Sequence, residues 1–399
     1  MTVTDAARES VASSLEQDQV VSHLNPPASY DLAAHPVPTG REEVWRFTPL
    51  KRLLGMLDGE PSQASLAAET TLPDGVAIST ISAEQARDLG ELAPNERPAA
   101  LAAANAGRVT LVDVPADLVA AEPLVVRLSG ASVDDLVWGR QVFRIGAHAD
   151  VTIVLLHTGS ARYSAIQSFL VGDGANVNIL SVQDWDDDAV HLGRDSIRVG
   201  RDASVKHTAI SFGGDVVRMH ANVEYAGPGG SAELLGLYFA DAGQHLEHRL
   251  FVDHNAPKTK SNVLYKGALQ GNGAHTVWIG NVLIRKVAEG IETYEENRNL
   301  VLTEGGQADS VPNLEIETGE IEGAGHASAT ARFDDEQLFY LRSRGVSEKE
   351  ARRLVVHGFF NDLIRRVGVP SIEEHLLQTV EAELAKNVLR EDPPVGELA

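Results

Sequence analysis

The stretch GAHADVTIVLL (residues 146–156) is answered by GDGANVNILSV (172–182), GRDASVKHTAI (200–210) and GPGGSAELLGL (227–237). Each opens on a turn of the form Gly-x-x-Ala/Gly-x-small, and the four recur at intervals of 26 to 28 residues. The turn returns in GNGAHT (271–276) and GGQADS (305–310). Between the turns lie alternating, β-branched runs such as VFRI, VTIVLL, VNILSV, SIRVG, VKHTAI, VWIGNVLI and NLVL, the pattern of strands with one face buried. Units this short cannot bury a face alone, so stacking them into a β-helix is the simplest architecture. An antiparallel sandwich in which each Gly-x-x-Ala is a hairpin turn is the alternative the residues leave open.

Outward from this region, residues 108–332 read as the β core. Residues 1–40, rich in Ala, Ser, Asp, Gln and Pro, read as a flexible arm with a helical start. Residues 41–107 read as a helical or mixed segment: EEVWRFTPLKRLLGML begins the first packed stretch, and a single Ala-rich helix is expected over about Ala83–Ala106. After Arg332 the period changes to 3.6, predicting a C-terminal helical domain over 333–390. Three capping pairs open its helices, Asp334 with Gln337, Ser347 with Glu350 and Ser371 with Glu374, and the last carries the stripe Leu376, Leu377, Val380, Leu384 and Val388. Residues 391–399 read as a disordered tail.

The chain has 399 residues and a net charge of −23, which disfavours nucleic acid and anionic lipid surfaces as partners. No apolar run approaches the roughly 18 residues of a membrane span, and the N-terminus lacks a secretory pattern, so a cytoplasmic location is expected. Cysteine is absent, which removes disulfides, thiolate nucleophiles and sulfur ligands from this chain. Neither a Walker motif nor a GxGxxG, GxSxG or HExxH occurs, so nothing marks an enzyme.

The histidines in HLEHRLFVDH (245–254) offer metal-ligand chemistry, but His245 and His248 would lie on opposite faces of a strand. The acidic DWDDD (184–188) lacks the glycine and closing glutamate of an EF-hand and reads as a surface turn. His157, His191, His207 and His275 read as ordinary strand histidines. His326, in EGAGHASATARF, differs because small residues on both sides leave its ring accessible beside the junction of β core and helices. The helix expected at 347–368 carries more apolar residues than one buried stripe needs: Leu354, Val355, Val356, Phe359, Phe360, Leu363, Ile364 and Val367, with Gly358 allowing close approach. It is either central in its domain or covered by another protein.

The run NRNLVLTEGGQADSVPNLEIETGEIEGAGHASATARFDDEQLFYLRSRGVSEKEARRLVVHGFF (297–360) resembles the signature region of the SufB/SufD family. VDHNAPKTKSNVLYKGAL (252–269) and EEVWRFTPLKRL (42–53) resemble its upstream segments, in the same order. Length, the EEVWRFTPL start and the lack of cysteine resemble the SufD type. The resemblance implies a right-handed parallel β-helix with flanking helices, and a non-catalytic scaffold in the SUF complex for iron–sulfur cluster assembly. It implies a SufB-type partner at the end of the β region, and a SufC-type ABC ATPase on the C-terminal helices. Phe339, Tyr340, Arg342, Arg344, Leu354, Val355, Gly358, Phe359 and Phe360 are the SufC contacts so expected. His326 matches the family histidine held to act with a SufB cysteine, which makes it the metal and cluster-assembly residue expected here. No intrinsic cofactor is implied: iron or a transient cluster sits at the SufB interface, ATP belongs to SufC, and the isolated chain is free to pair with a second copy. Ala324 stands where many relatives of the SufD type have a cysteine, so this subunit brings no sulfur of its own. The other readings are a stand-alone SufB-like scaffold, which lacks a thiolate, and a β-helix enzyme acting on polysaccharide, for which no carboxylate cluster is seen.

Overall fold

In the computed structural model, which describes residues 26–333 and 335–386, the repeated turns separate strands that pair in parallel, each with the strand one full rung away. The hairpin alternative is thereby excluded. β1 (Ala67–Thr71), β2 (Ala77–Ile81) and β3 (Val109–Val114) precede two long strands, β4 (Leu124–Ile145) and β5 (Asp150–Val171). Ten-residue strands then follow in most rungs: β6 (Asn176–Trp185), β7 (Val190–Val199), β8 (Ser204–Ser211), β9 (Val216–Tyr225), β10 (Ser231–Ala240), β11 (His245–His254), β12 (Lys260–Leu269), β13 (His275–Ile284), β14 (Glu292–Val301), β15 (Gln307–Ile316) and β16 (Gly323–Arg332).

β5 pairs with β6 through Asp150–Gly159 and with β7 through Arg162–Val171, so it runs along both sides of a flattened solenoid. Beyond it, even-numbered strands build side one and odd-numbered strands side two, ending at β16 and β15, to give a β-helix of about eight turns. The six recurrent turns do not form one column. Those at Gly146, Gly172, Gly200 and Gly227 precede side-one strands, whereas those at Gly271 and Gly305 precede side-two strands at the opposite corner.

Alternate residues of each strand point inward. Val177, Ile179, Val205, Leu234 and Val263 from side one meet Ile197, Val217, Leu250 and Val282 from side two in one buried core. Burying each such side chain contributes about 1.5–3 kcal/mol. Rings fill the remaining volume: a Cβ on Gly236 would fall within the Tyr265 ring, and one on Gly267 within the Tyr238 ring.

The two outer faces are covered by the two ends of the chain. On side two, Trp45, Leu53, Met56, Leu57, Leu101 and Ala102 pack on Leu136, Trp138, Ile166, Val190, Leu192 and Val216. EEVWRFTPLKRLLGML therefore packs as expected, but as 3-10 turns at Glu43–Trp45 and Leu50–Arg52. The single helix over Ala83–Ala106 is instead two, α1 (Ala83–Asp88) and α2 (Arg97–Asn105), because Gly90 takes a positive φ of 93° and Pro94 follows it. Residues 26–40, expected as part of a loose arm, are pinned: His35 is buried, its Nε2 is 2.8 Å from the Ser29 carbonyl, and its own carbonyl accepts from Arg97 Nη1 at 2.7 Å.

On side one lie α3 (Asp335–Ser343), α4 (Glu348–Ile364) and α5 (Pro370–Lys386). Ser347 caps α4, accepting from Glu350 N at 3.2 Å as its sequence predicts. Ser371 does not cap α5: the helix begins at Pro370, whose missing N–H costs nothing in a first turn, and Val369 O accepts the first bonds. Most of the surplus apolar residues of α4 are accounted for by its central place; Leu354, at the surface, is not. Val356, Phe360, Leu363 and Ile364 are buried between the outer face of side one (Leu180, Val182, Ile210, Leu235, Leu237, Phe239) and the α5 stripe Leu376, Val380 and Leu384. The helical start of the arm, the Asp334 cap, Val388 and the 391–399 tail lie outside the described residues.

Candidate functional site at the open end of the solenoid

Among the described residues β16 pairs only with β14 and β15 only with β13, so the last rung leaves a strand edge unpaired on both sides. Its residues are half-buried or exposed, whereas β13 is buried along nearly its whole length and β14 at its inward positions. The start of the solenoid differs, because the short strand β1 runs antiparallel to β4 and β2 runs antiparallel to β3.

His326 lies on β16 and is exposed. Its cross-strand partner is Glu295 on β14. In-register residues of neighbouring strands share a face, and Glu295 is 1% exposed, so both belong to the inward-facing row. Ala324, aligned with buried Thr293, shares that row. Neither carboxyl oxygen of Glu295 has a hydrogen-bond partner, and burial pushes its pKa up to about 8. Beside it a polar network is fully formed. Asn297 Nδ2 donates to Tyr238 Oη (2.8 Å), Tyr238 Oη to Asn299 Oδ1 (2.9 Å), and Ser310 Oγ to Asn297 Oδ1 (2.7 Å).

The expected contact residues on the helices divide by exposure. Phe339 and Tyr340 are 74% and 56% exposed, and Arg342, Arg344, Leu354 and Gly358 are also at the surface. Val355 and Phe359 are half-buried, and Phe360 is fully buried, its ring 6.4 Å from that of Phe239. Phe360 thus packs the helix onto the solenoid and presents nothing outward. Lys266 Nζ joins the two units by donating to the Phe359 carbonyl at 2.8 Å and to Asp362 Oδ1 at 2.5 Å.

The other histidines take structural places. His245 faces outward with Nε2 3.1 Å from Glu247 Oε2, and His248 faces inward, stacked 5.0 Å from Tyr238. His157 and His191 pack among Tyr163 and Trp185, and His207 Nε2 lies 2.9 Å from Asp195 Oδ2. His275 bridges Asp309 at 2.7 Å. The DWDDD run ends β6 and turns into β7, with Ser160 donating to Asp188 at 2.7 Å. Among the described residues no group of three or more His, Cys, Asp or Glu could hold a metal ion.

A buried charge cluster under the N-terminal segment went unmarked in the sequence. Arg218 Nη1 donates to Glu96 Oε2 at 2.6 Å and its Nε to Glu247 Oε1 at 3.2 Å, while its guanidinium sits 4.1 Å from the Trp45 ring centre. Thr48 Oγ1 donates to Glu247 at 2.7 Å. Burial opposes ionisation of Glu247, but Arg218, His245 and Arg249 outweigh it and hold the carboxyl well below its usual range. The only available signal was charge recurring at outward positions of successive strands.

Residues 127–359, from β4 into α4, match the SufBD core domain of the SUF system for FeS cluster assembly. This chain belongs to the SufBD family. Iron–sulfur cluster assembly SufBD family proteins of Mycobacterium bovis and Mycobacterium leprae are 51% and 48% identical to it. Each alignment covers 90% of this chain, and 92% and 93% of the relative. A SufBD family protein of Staphylococcus aureus is 26% identical over 53% of this chain and 45% of its own length. The SufBD match thus spans the solenoid, the open end and most of α4, and among the described residues no helix is long and apolar enough to cross a membrane.

Proposed function

We propose that this chain is a SufD-type subunit of a SUF iron–sulfur cluster assembly complex, a non-catalytic scaffold working in the cytoplasm. The observation that carries the reading is an unpaired end of the solenoid presenting His326 in a chain with no cysteine. A free parallel edge is a template for pairing with another strand. A SufB-type subunit docked there supplies the thiolate this chain lacks, and His326 supplies an imidazole ligand for iron or the nascent cluster, which is the cargo of the complex.

A SufC-type ATPase takes the exposed outer surface of α3 and α4, centred on Phe339, Tyr340 and Leu354. Because α4 is packed on side one and tied to β12 by Lys266, nucleotide-driven movement of the helices bears on the solenoid. Co-expression with SufB-type and SufC-type subunits from the same genome tests the assignment: a stable complex is expected, and failure to co-purify with either overturns it. In the complex, His326→Ala is expected to leave assembly intact and to slow cluster formation; a normal rate removes the ligand role.

A further inference from the structure

Glu295 is placed against the usual rule for buried acids. Glu91 pairs with Arg140, Glu96 with Arg218, and Glu247 with Arg218, Arg249 and His245, yet Glu295 is as buried with neither oxygen bonded. Leaving a buried carboxyl unsatisfied costs about 1–3 kcal/mol even when neutral and more when charged. The surroundings nevertheless make room for it. Across the lumen Gly280 has no side chain, and a Cβ there would stand 2.7 Å from Glu295 Oε1. One strand further out, His326 stands in register on the same inward row, at the end of the solenoid open to solvent.

We propose that Glu295 and His326 form a two-ligand site for a divalent transition-metal cation, with the carboxylate as the inner donor and the imidazole as the outer one. β14 and β16 are parallel neighbours, and adjacent strands lie about 4.7–4.9 Å apart, close enough for an in-register carboxylate and imidazole to share one ion. Oxygen and nitrogen donors without sulfur select ferrous iron and its divalent neighbours over soft ions or a preformed cluster. The remaining coordination positions are filled by water, or by a subunit docked on the edge. The purpose of the site rests on the reading of the open end as an assembly interface; the binding itself does not.

The test is an anaerobic titration of the isolated, untagged full chain with Co²⁺, read by its visible d–d bands and by calorimetry. The wild type is expected to bind one Co²⁺, and Glu295→Gln and His326→Ala each to weaken it by about tenfold or more. Glu295→Gln is expected to melt no lower than the wild type, since it removes an unpaired carboxyl. Should that variant fail to fold, Glu295→Leu, matched to the apolar lumen, takes its place. Wild-type affinity in Glu295→Gln or Glu295→Leu overturns the proposal, as does a wild-type chain that binds no Co²⁺. Loss of co-purification with the partner subunits overturns the assignment to the SUF complex and leaves the cation result standing.

Discussion

At Arg218 two carboxylates from distant parts of the chain, Glu96 and Glu247, converge on one guanidinium beneath Trp45. Removing the cation takes from Glu96 its guanidinium partner and from Glu247 one of two, leaving His220 beside the first and Arg249 and His245 beside the second, so Arg218→Gln is expected to cost about 3 kcal/mol, measured by urea unfolding. The buried histidines give the protein its acid sensitivity. Burial lowers His248 to about 3 and His157 to about 4 from an ordinary 6.5. The unfolded chain therefore takes up these protons near pH 6.5 and the folded chain does not. Their stabilisation is full above pH 6.5 and is lost as pH falls from there toward 4. His248→Phe keeps a ring against Tyr238 and removes one such group. Its unfolding free energy should fall less steeply between pH 6.5 and 4, by about 1.4 kcal/mol per pH unit. An unchanged slope in urea melts at pH 7, 6 and 5 would count against a neutral buried His248. At this scale the sequence was uneven. His326 stood out because glycine and alanine flank it. Glu295 did not, because a glutamate in ETYEENRN reads as solvent-facing, and only the register of β14 shows that exposed Tyr294 and buried Glu295 have the phase opposite to their polarity.

Among the elements, α4 separates stability from recognition. Phe360→Ala empties a fully buried place between α4 and Phe239 and should cost about 3–5 kcal/mol. Phe339→Ala and Leu354→Ala, at the surface, should stay within about 0.5 kcal/mol of wild type and weaken SufC-type binding instead. Thermal melts and pull-downs on the same three variants distinguish the two effects. The strands of the core were legible because alternation survives wherever one face is buried. β1 and β2 were not, since AAETT and AISTI are exposed along almost their whole length and carry no buried face to mark them. Nor could the cap of α5 be placed, because Ser371 and Pro370 are both good starting residues and only packing of Val369 and Ile372 chooses between them.

For the molecule as a whole, spacing indicated stacked rungs, but parallel pairing could not be told from hairpins by residues alone, since both bury alternate side chains. What the turns hid is that two opposite corners use the same Gly-x-x-Ala chemistry, so six similar sequences occupy two columns. Protection should vary along the solenoid in a predictable way. Amides of β8, β10 and β12, bonded on both edges and buried, should exchange most slowly, and those of β16 fastest among the long strands. Hydrogen exchange checks this, and adding a SufB-type subunit should slow β15 and β16 selectively; uniform slowing would argue against docking at that end.

The unlike ends of the solenoid give its growth a direction. The first rungs finish in two short antiparallel strands of five residues with exposed side chains, and the last rung finishes in ten-residue strands whose outer edges pair with no other strand among the described residues. A rod whose long edges lie at one tip, and whose other tip ends in short strands, is more readily extended by strand pairing at the long-edged tip. Covering that tip with the proposed SufB-type subunit would keep a long exposed β edge from seeding fibres.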